Sequence, residues 1–245
     1  MNARPITELR WRPASATPAL SGHRLHLWRL RLTLGDAASD SHDLDLLSPR
    51  QRERWGRLRQ ATHRRRFFRA QARCRRILGS YIDVAPEKLR FRYGAAGKPA
   101  LDCGSASQPQ FNLTTTGDLA LLAVSAIEPV GVDCELERAR TDLLGVARRM
   151  FTAEELQDLT ELTGNARVRA FHLCWTALEA GVKVDGRGLA RHREPSPAGV
   201  SVAHGLAGSI DGQAAVCAVA RRNLPPVDEW LALDFEPDLG RRQIS

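Results

Sequence analysis

Short apolar runs and apolar alternation indicate several β-strands along the chain. Leucines recur near a period of two over residues 23–34, as in a strand with one buried face. Residues 119–125 are almost entirely apolar and predict a hairpin with Phe111-Asn112 around the polar turn 114–118. The same criteria predict further strands at 130–136 and within 196–220.

Other segments repeat apolar residues every three or four positions, the period of an amphipathic helix. The longest of them, 63–82 and 165–184, predict two long helices, and Gly186 and Gly188 end the second. Ser48-Pro49 has a capping residue followed by proline, which is typical of a helix start. This helix is expected to break near 60–62, and two shorter helices are predicted at 142–150 and after the capping box Thr152-Ala-Glu-Glu155.

The order of these elements predicts an α+β protein with two similar halves. A helix followed by a hairpin occurs in both 23–128 and 129–245, and the two pairs carry similar sequence. Residues 1–22 contain three prolines and no sustained period, so they are predicted to form a flexible N-terminal extension.

Composition narrows the class of protein. The chain has 245 residues, 43% hydrophobic and 26% charged, which are ordinary values for a globular protein. No apolar run approaches the roughly 20 residues needed to cross a bilayer, so no membrane association is expected. The five cysteines form no C-x-x-C pair, which argues against a disulfide framework or a thiolate zinc site and for a reducing cytoplasm.

Positive charge is concentrated in one region. The net charge is +8, and residues 48–92 contain fifteen Arg or Lys against three acids. A helix that carries this charge would attract polyanions. Its partner could be a nucleic acid, an anionic small molecule or an acidic protein. The simpler interpretation is an arginine-rich face exposed to solvent. Nucleic acid is disfavoured because few aromatic residues are interleaved with the arginines for base stacking.

Four charged residues are candidates for chemistry. Asp133 and Glu135 lie two apart in a predicted strand, so both side chains leave the same face and suit Mg²⁺, although two surface acids on an edge strand would have the same spacing. Glu179 and Lys183 lie one turn apart on the predicted helix, where an ordinary ion pair is the alternative. They fall on the face beside an apolar stripe formed by Phe171, Trp175, Leu178 and Val182.

Five short motifs then occur in a fixed order. They are Gly97-Lys98-Pro99, Phe111-Asn112-Leu113, Gly131-Val132-Asp133-Cys134-Glu135, Phe151-Thr152-Ala153-Glu154-Glu155 and Trp175-Thr176-Ala177-Leu178-Glu179-Ala180-Gly181-Val182-Lys183. From about Leu25 to Ala220 the chain therefore resembles the 4′-phosphopantetheinyl transferases of the larger, monomeric surfactin-synthetase (Sfp) type.

The resemblance implies a fold and a reaction. It implies two pseudo-symmetric α+β halves with the active site in the cleft between them, and a monomer. The reaction would move the 4′-phosphopantetheine arm of coenzyme A to a serine of an acyl or peptidyl carrier protein and release adenosine 3′,5′-bisphosphate. Mg²⁺ would be held by Asp133, Glu135 and Glu179, with Glu179 as the base for the serine proton and Lys183 stabilising the departing phosphate.

The resemblance also implies the residues that bind coenzyme A. They are Arg54, Arg66, Lys98, Pro99, Thr114, Thr115 and Lys183. Among them, Arg54, Arg66 and Lys98 match the family positions that hold the nucleotide phosphates. Two positions depart from the family pattern, because Thr115 replaces a histidine and Leu178 replaces a lysine. The departures leave an alternative open, namely a degenerate member that binds carrier protein or coenzyme A without efficient transfer.

Overall fold

The computed structural model describes residues 3–6, 9–33, 37–104 and 108–236. Its strands are β1 Arg4–Ile6, β2 Arg12–Ala14, β3 Leu25–Arg31, β4 Phe91–Tyr93, β5 Pro99–Leu101, β6 Gln110–Thr116, β7 Leu119–Ser125, β8 Val130–Leu136, β9 Val200–Ile210, β10 Gln213–Arg222 and β11 Leu231–Phe235. Its α-helices are α1 Ala37–Asp45, α2 Pro49–Arg57, α3 Ala61–Ile82, α4 Leu143–Met150, α5 Ala153–Glu161 and α6 Gly164–Asp185. The predicted α+β class is confirmed.

Two β-sheets face each other across the main core. The first has the strand order β2-β11-β3-β7-β6 and the second the order β1-β9-β10-β8, while β4 and β5 form a separate pair. Alternate residues of β3 and β7, such as Leu27 and Leu121, point toward the second sheet, where Val132 and Val219 meet them. The buried apolar contact between the sheets holds the two halves together.

A helix of 22 residues covers the outer face of each sheet. Cys74 and Ile77 of α3 pack on Trp28 and Leu122, which are the residues of β3 and β7 that point away from the second sheet. Helix α6 packs in the same way on β9 and β10, chiefly through its alanines. The break predicted near 60–62 is present, because α2 ends at Arg57 and α3 begins at Ala61.

The N-terminal segment differs from its predicted form. Within 1–22, predicted as a flexible extension, β1 pairs in parallel with β9 and β2 pairs in parallel with β11. Three-residue strands at sheet edges carry too little alternation to be read from the sequence. Residues 1–2 and 7–8 of the predicted extension, 34–36 and 105–107 of the predicted N-terminal half, and 237–245 of the predicted C-terminal half lie outside the described residues.

The chain also crosses between the predicted halves. Most of the first sheet comes from 23–128 and most of the second from 129–245, and in each a 22-residue helix precedes a hairpin. However, β11 returns from the C-terminal half and pairs in parallel with β3. The boundary near residue 128 therefore separates the two helix–hairpin units but not the two sheets.

Several arginines of α3 are buried inside the protein rather than displayed on its surface. Arg69 donates to Asp40 at 2.6 Å, and Arg76 donates to Asp43 at 2.8 Å. Arg75 donates to backbone carbonyls that follow the helix. Part of the positive charge between residues 48 and 92 is thus used to fasten neighbouring segments to α3, because a buried guanidinium needs partners.

No helix in the described part of the chain combines the length and apolar character required to cross a membrane.

Candidate active site

A glycine brings the strand with the paired carboxylates into contact with helix α6. A Cβ atom on Gly131 of β8 would lie 2.0 Å from the carbonyl oxygen of Ala180 and 2.9 Å from the backbone nitrogen of Val184. Any side chain there would push strand and helix apart. Gly131 therefore sets the close spacing that lets the next residues of β8 meet Glu179 and Lys183.

Asp133 lies on the face of β8 that is turned toward α6, and it is only 3% exposed. Its Oδ1 accepts hydrogen bonds from Lys183 Nζ at 2.6 Å and from the Thr114 hydroxyl at 2.9 Å. Burial raises the pKa of Asp133 to about 7, with a smaller contribution from the negative charges of Glu179 and Glu135, while Lys183 opposes the rise. The carboxyl group is costly to ionise without a nearby cation.

Lys183 joins the strand to the helix. Its Nζ lies 2.6 Å from Asp133 Oδ1 and 3.0 Å from Glu179 Oε2, one helical turn away. Burial by itself lowers the pKa of Lys183, but the two carboxylates outweigh burial and hold this pKa above its usual value. The two contacts use two of the three ammonium hydrogens, so one donor is left for a further acceptor.

Strand β6 supports β8 from the other sheet. Asn112 Oδ1 accepts a hydrogen bond from the backbone N–H of Val132 at 2.9 Å, and the Thr116 hydroxyl lies 3.2 Å from Glu135 Oε2. β6 and β8 are the edge strands of their sheets. Side chains at every second position of β6 thus take the place of a neighbouring strand and hold both carboxylates of β8 in position.

The sequence places residues 114–116 in a turn, whereas the structure places them in β6. The alternation of a strand sends Thr114 and Thr116 toward β8 and leaves Thr115 exposed. The predicted turn is shorter than expected and lies at Gly117-Asp118, where Gly117 has a φ of 54°. A run of three identical polar residues hides this alternation in the sequence.

The donor chemistry of the site fits a hard divalent cation. Asp133 Oδ2 is buried and has no hydrogen-bond partner within the described residues, and Glu135 leaves the same face of β8. Within those residues, however, no three His, Cys, Asp or Glu side chains form a group that could hold an ion. The ammonium of Lys183 bridges Asp133 and Glu179 instead.

Two adjoining cavities open beside α2 and α3. One has a volume of about 570 Å³ and is lined by Arg54, Gly97 and Pro99, together with Phe67 and Tyr93. The other, of about 370 Å³, is lined by residues that include Arg54, Arg66 and Thr115. Because Arg54 lines both, it faces any ligand that extends from one cavity into the other.

The arginines of these cavities are held by neighbouring side chains. The guanidinium of Arg54 lies 5.2 Å from the centre of the Phe67 ring. Arg66 forms a bidentate ion pair with Asp118, with contacts of 2.6 and 3.0 Å. This pairing raises the pKa of Arg66 and lowers the pKa of Asp118. The arginine is oriented, and its cost of burial is reduced, by an acid that the sequence analysis did not single out.

Lys98 makes its hydrogen bonds to the backbone rather than to any side chain of the predicted site. Its ammonium donates to three backbone carbonyl oxygens, those of Val130 at 3.0 Å and of Lys183 and Val184 at 2.6 Å each. Burial lowers the pKa of Lys98 to about 8. These contacts use all three ammonium hydrogens, whereas the resemblance implies a contact of Lys98 with coenzyme A.

The predicted site residues therefore form two groups. Asp133, Glu179, Lys183 and Thr114 are in direct contact, and Glu135 stands beside them on β8. Arg54, Arg66, Pro99 and Thr115 line the two cavities. Thr114 is buried with its hydroxyl directed to Asp133, so it supports the carboxylates rather than lining a cavity.

The sequence indicated no site role for Asn112, Thr116 or Asp118, although Asn112 belongs to one of the five motifs. The period of two along β6 would have grouped Asn112 and Thr116 with Thr114, had the strand been extended to residue 116. The Asp118 contact links residues 52 positions apart, and no local pattern indicates it.

Comparison with known proteins identifies the family. A family model described as the 4′-phosphopantetheinyl transferase superfamily matches residues 129–222. Over 186 residues the chain is 35% identical to the 4′-phosphopantetheinyl transferase HetI of Nostoc sp., covering 75% of this chain and 78% of that protein. The chain belongs to the 4′-phosphopantetheinyl transferase superfamily. The transferase class predicted from the five motifs is confirmed.

Two further relatives are more distant from this transferase. The putative 4′-phosphopantetheinyl transferase slr0495 of Synechocystis sp. is 33% identical over 144 residues, which cover 59% of this chain and 58% of the relative. The 4′-phosphopantetheinyl transferase Sfp of Bacillus subtilis is 23% identical over 146 residues, which cover 60% and 63%. The resemblance to the Sfp type is thereby confirmed.

Proposed function

We propose that this transferase moves the 4′-phosphopantetheine arm of coenzyme A to a serine hydroxyl of an acyl or peptidyl carrier protein, with Mg²⁺ as cofactor and adenosine 3′,5′-bisphosphate as the other product. The observation that carries the proposal is the contact of Asp133, Lys183 and Glu179 on facing elements. Two cavities with arginines in their walls support the binding of an anionic substrate such as coenzyme A. We further propose that the enzyme acts as a cytoplasmic monomer.

Asp133, Glu135 and Glu179 would hold the metal. When bound, Mg²⁺ would neutralise pyrophosphate charge and favour departure of the nucleotide. The buried, unpartnered Oδ2 of Asp133 supports this assignment, because a carboxylate oxygen in such a place requires a cation or a proton. Thr114 and Thr116 would keep the two carboxylates of β8 in the orientation that coordination requires.

The remaining chemistry would come from the side chains of α6. Glu179, whose carboxylate lies 3.0 Å from Lys183 Nζ and whose side chain is 18% exposed, would accept the proton of the serine hydroxyl. Lys183 would use its remaining hydrogen to stabilise negative charge on the leaving phosphate. One helix thus supplies both the base and the cation, four residues apart and on the same face.

Arg54 and Arg66 would bind the phosphates at the nucleotide end of coenzyme A. Arginine suits this task because its planar fork binds phosphate through two hydrogen bonds. Pro99 and Thr115 line the same cavities and would contact the nucleotide there. Charge removal at Arg54 or Arg66 is expected to raise the KM for coenzyme A.

The decisive experiment is incubation of the protein with coenzyme A, Mg²⁺ and an apo carrier protein, followed by mass measurement of the carrier. We expect the added arm with the natural enzyme and with Glu194→Gln, which removes an exposed acid paired with Arg191. We expect Glu179→Gln and Asp133→Asn to lower the rate by several orders of magnitude. Coenzyme A binding without any transfer by the natural enzyme would support a degenerate family member instead.

A further inference from the structure

Three segments of the chain meet at the ammonium of Lys98. This residue precedes β5, and its hydrogen bonds reach the first residue of β8, Val130, and two residues of the last turn of α6, Lys183 and Val184. β8 carries Asp133 and Glu135, while α6 carries Glu179 and Lys183. Lys98 is therefore bonded to both elements of the candidate active site without touching any of its four charged side chains.

Two of the three acceptors belong to the last turn of α6, where carbonyl groups lack an intrahelical partner. The last four carbonyl groups of an α-helix have no intrahelical N–H, and their partial negative charge favours a cation at that end. Lys183 and Val184 belong to this turn, since α6 ends at Asp185. An ammonium group has three hydrogens, and the three carbonyl oxygens satisfy all of them.

The end of α6 is shaped to admit the lysine. Gly186 follows the helix with a left-handed φ of 70°, and a Cβ atom there would lie 3.0 Å from Cβ of Lys98. The stem of Lys98 thus packs where a side chain at position 186 would stand. The left-handed conformation of Gly186 and the absence of a side chain there let Lys98 pack against the end of the helix.

Building on the proposed function, we propose that Lys98 is a positioning residue that ties the end of α6 to the start of β8 and so fixes the spacing of Glu179 and Lys183 from Asp133. It acts through these residues and does not bind a phosphate of coenzyme A. The distance from Glu179 on α6 to the carboxylates on β8 would depend on the hydrogen bonds of Lys98.

The first test separates positioning from phosphate binding by kinetics. In Lys98→Met we expect kcat to fall by about tenfold to a hundredfold, because the catalytic groups lose their alignment, with the KM for coenzyme A within about twofold of normal. Lys98→Arg keeps a cation with several donors and should recover part of kcat. Arg66→Met, at a proposed phosphate contact, should show the opposite pattern with a raised KM.

Dephospho-coenzyme A provides the contrast between the two roles. A phosphate-binding Lys98 would raise the KM for coenzyme A on substitution, and its defect would shrink when the 3′-phosphate is absent. That result would overturn the proposal, as would an unchanged kcat in Lys98→Met. A positioning Lys98 gives the same fractional loss of kcat with both substrates.

A second measurement does not depend on activity. Hydrogen exchange of the full-length protein should be faster in Lys98→Met over residues 181–188, and unchanged over the end of α3 at residues 78–83. If the natural enzyme transfers no arm and this local change is still seen, the tether stands and the proposed function fails. Unchanged exchange at 181–188 would overturn the tether even in an active enzyme. If Lys98→Met does not fold, the same comparison is made with Lys98→Gln, which keeps two donors.

Discussion

Asp133 and Lys183 depend on each other at the level of single side chains. Asp133 is almost fully buried, and its nearest cation is Lys183 at 2.6 Å. Removing one partner of such a pair leaves an uncompensated polar group, which is why breaking a buried pair costs more than the pair contributes. The consequences for stability and for activity can be measured separately.

Lys183→Met is expected to lower the free energy of unfolding at pH 7 by about 2–3 kcal/mol, below the range for fully buried pairs because the lysine is partly exposed. The rate of phosphopantetheine transfer should fall by much more than a folding defect of this size would explain, because Lys183 is proposed to stabilise the leaving phosphate. Urea unfolding of this variant is compared with Arg191→Met, which breaks an exposed pair with Glu194 and should leave stability unchanged. A Lys183→Met protein as stable as the natural one would show that Asp133 finds another partner.

His26 is expected to make the protein sensitive to acid. The ring is fully buried, its Nδ1 lies 2.6 Å from the Tyr81 hydroxyl, and burial lowers its pKa from 6.5 to about 4. The unfolded chain therefore binds a proton between pH 6.5 and 4 that the folded protein excludes, so stability decreases as pH falls through this window. The loss from this group reaches about 3 kcal/mol near pH 4.

The measurement is the unfolding free energy at several pH values from 7.5 to 4 in the natural protein and in His26→Gln. The variant is expected to be less stable at pH 7.5 but to have a shallower pH dependence below 6.5, because glutamine does not titrate. Equal slopes for the two proteins would contradict the assignment to His26.

At the scale of elements, the contact of β8 with α6 depends on one missing side chain. Gly131→Ala would place a methyl group 2.0 Å from the Ala180 carbonyl, so strand and helix must separate. We expect the free energy of unfolding to fall by about 3 kcal/mol or more, as for severe overpacking of a core. We also expect the variant to lose phosphopantetheine transfer. Thermal unfolding and carrier loading are the measurements.

Gly56→Ala is the matched control, since nothing lies within 4 Å of the added atom on helix α2. The same change there should stabilise the protein by up to about 1 kcal/mol, because alanine favours the helix. Similar changes in stability for the two variants would show that β8 and α6 can accommodate a methyl group at position 131.

The elements themselves were largely predictable, and their partners were not. Periods of two and near 3.6 are local, so the long helices, the hairpin of β7 and the strand of Asp133 followed from the sequence. The direction of the Asp133 and Glu135 side chains followed from the same rule. Leu178 was expected on the apolar stripe of α6 and packs there, partly buried beside Trp175.

The features that could not be predicted are contacts between segments that are far apart in the sequence. Lys98 matched a motif whose family role is phosphate contact, but its partner carbonyls lie 32 to 86 residues away. The arginines of α3 were counted as a charged surface, although several are buried because acids and carbonyls from other elements surround them. Local charge counts carry no information about such partners.

At the scale of the whole molecule, the two sheets are joined by side chains as well as by the apolar core. Asn112 of β6 accepts the backbone N–H of Val132, and both groups are buried. Asn112→Leu keeps the shape but leaves that N–H without an acceptor, which is expected to cost about 1–3 kcal/mol. Asn165→Leu, at the exposed start of α6, should leave stability nearly unchanged.

The two variants are compared by thermal unfolding and by the KM and kcat of carrier loading. Because Asn112 positions β8, its loss should lower kcat as well as stability. A destabilised Asn112→Leu enzyme with normal kcat would show that β8 keeps its place through the core alone.

The position of β11 in the first sheet has a consequence for folding during synthesis on the ribosome. This strand lies between β2 and β3 of the first sheet, yet it is synthesised about a hundred residues after β7, when the other four strands of that sheet have already been made. Throughout that interval the edge of β3 has no neighbour on one side. The N-terminal half therefore emerges as an incomplete sheet whose open edge can pair with another nascent chain, and the protein is most vulnerable to aggregation before its last strand is made.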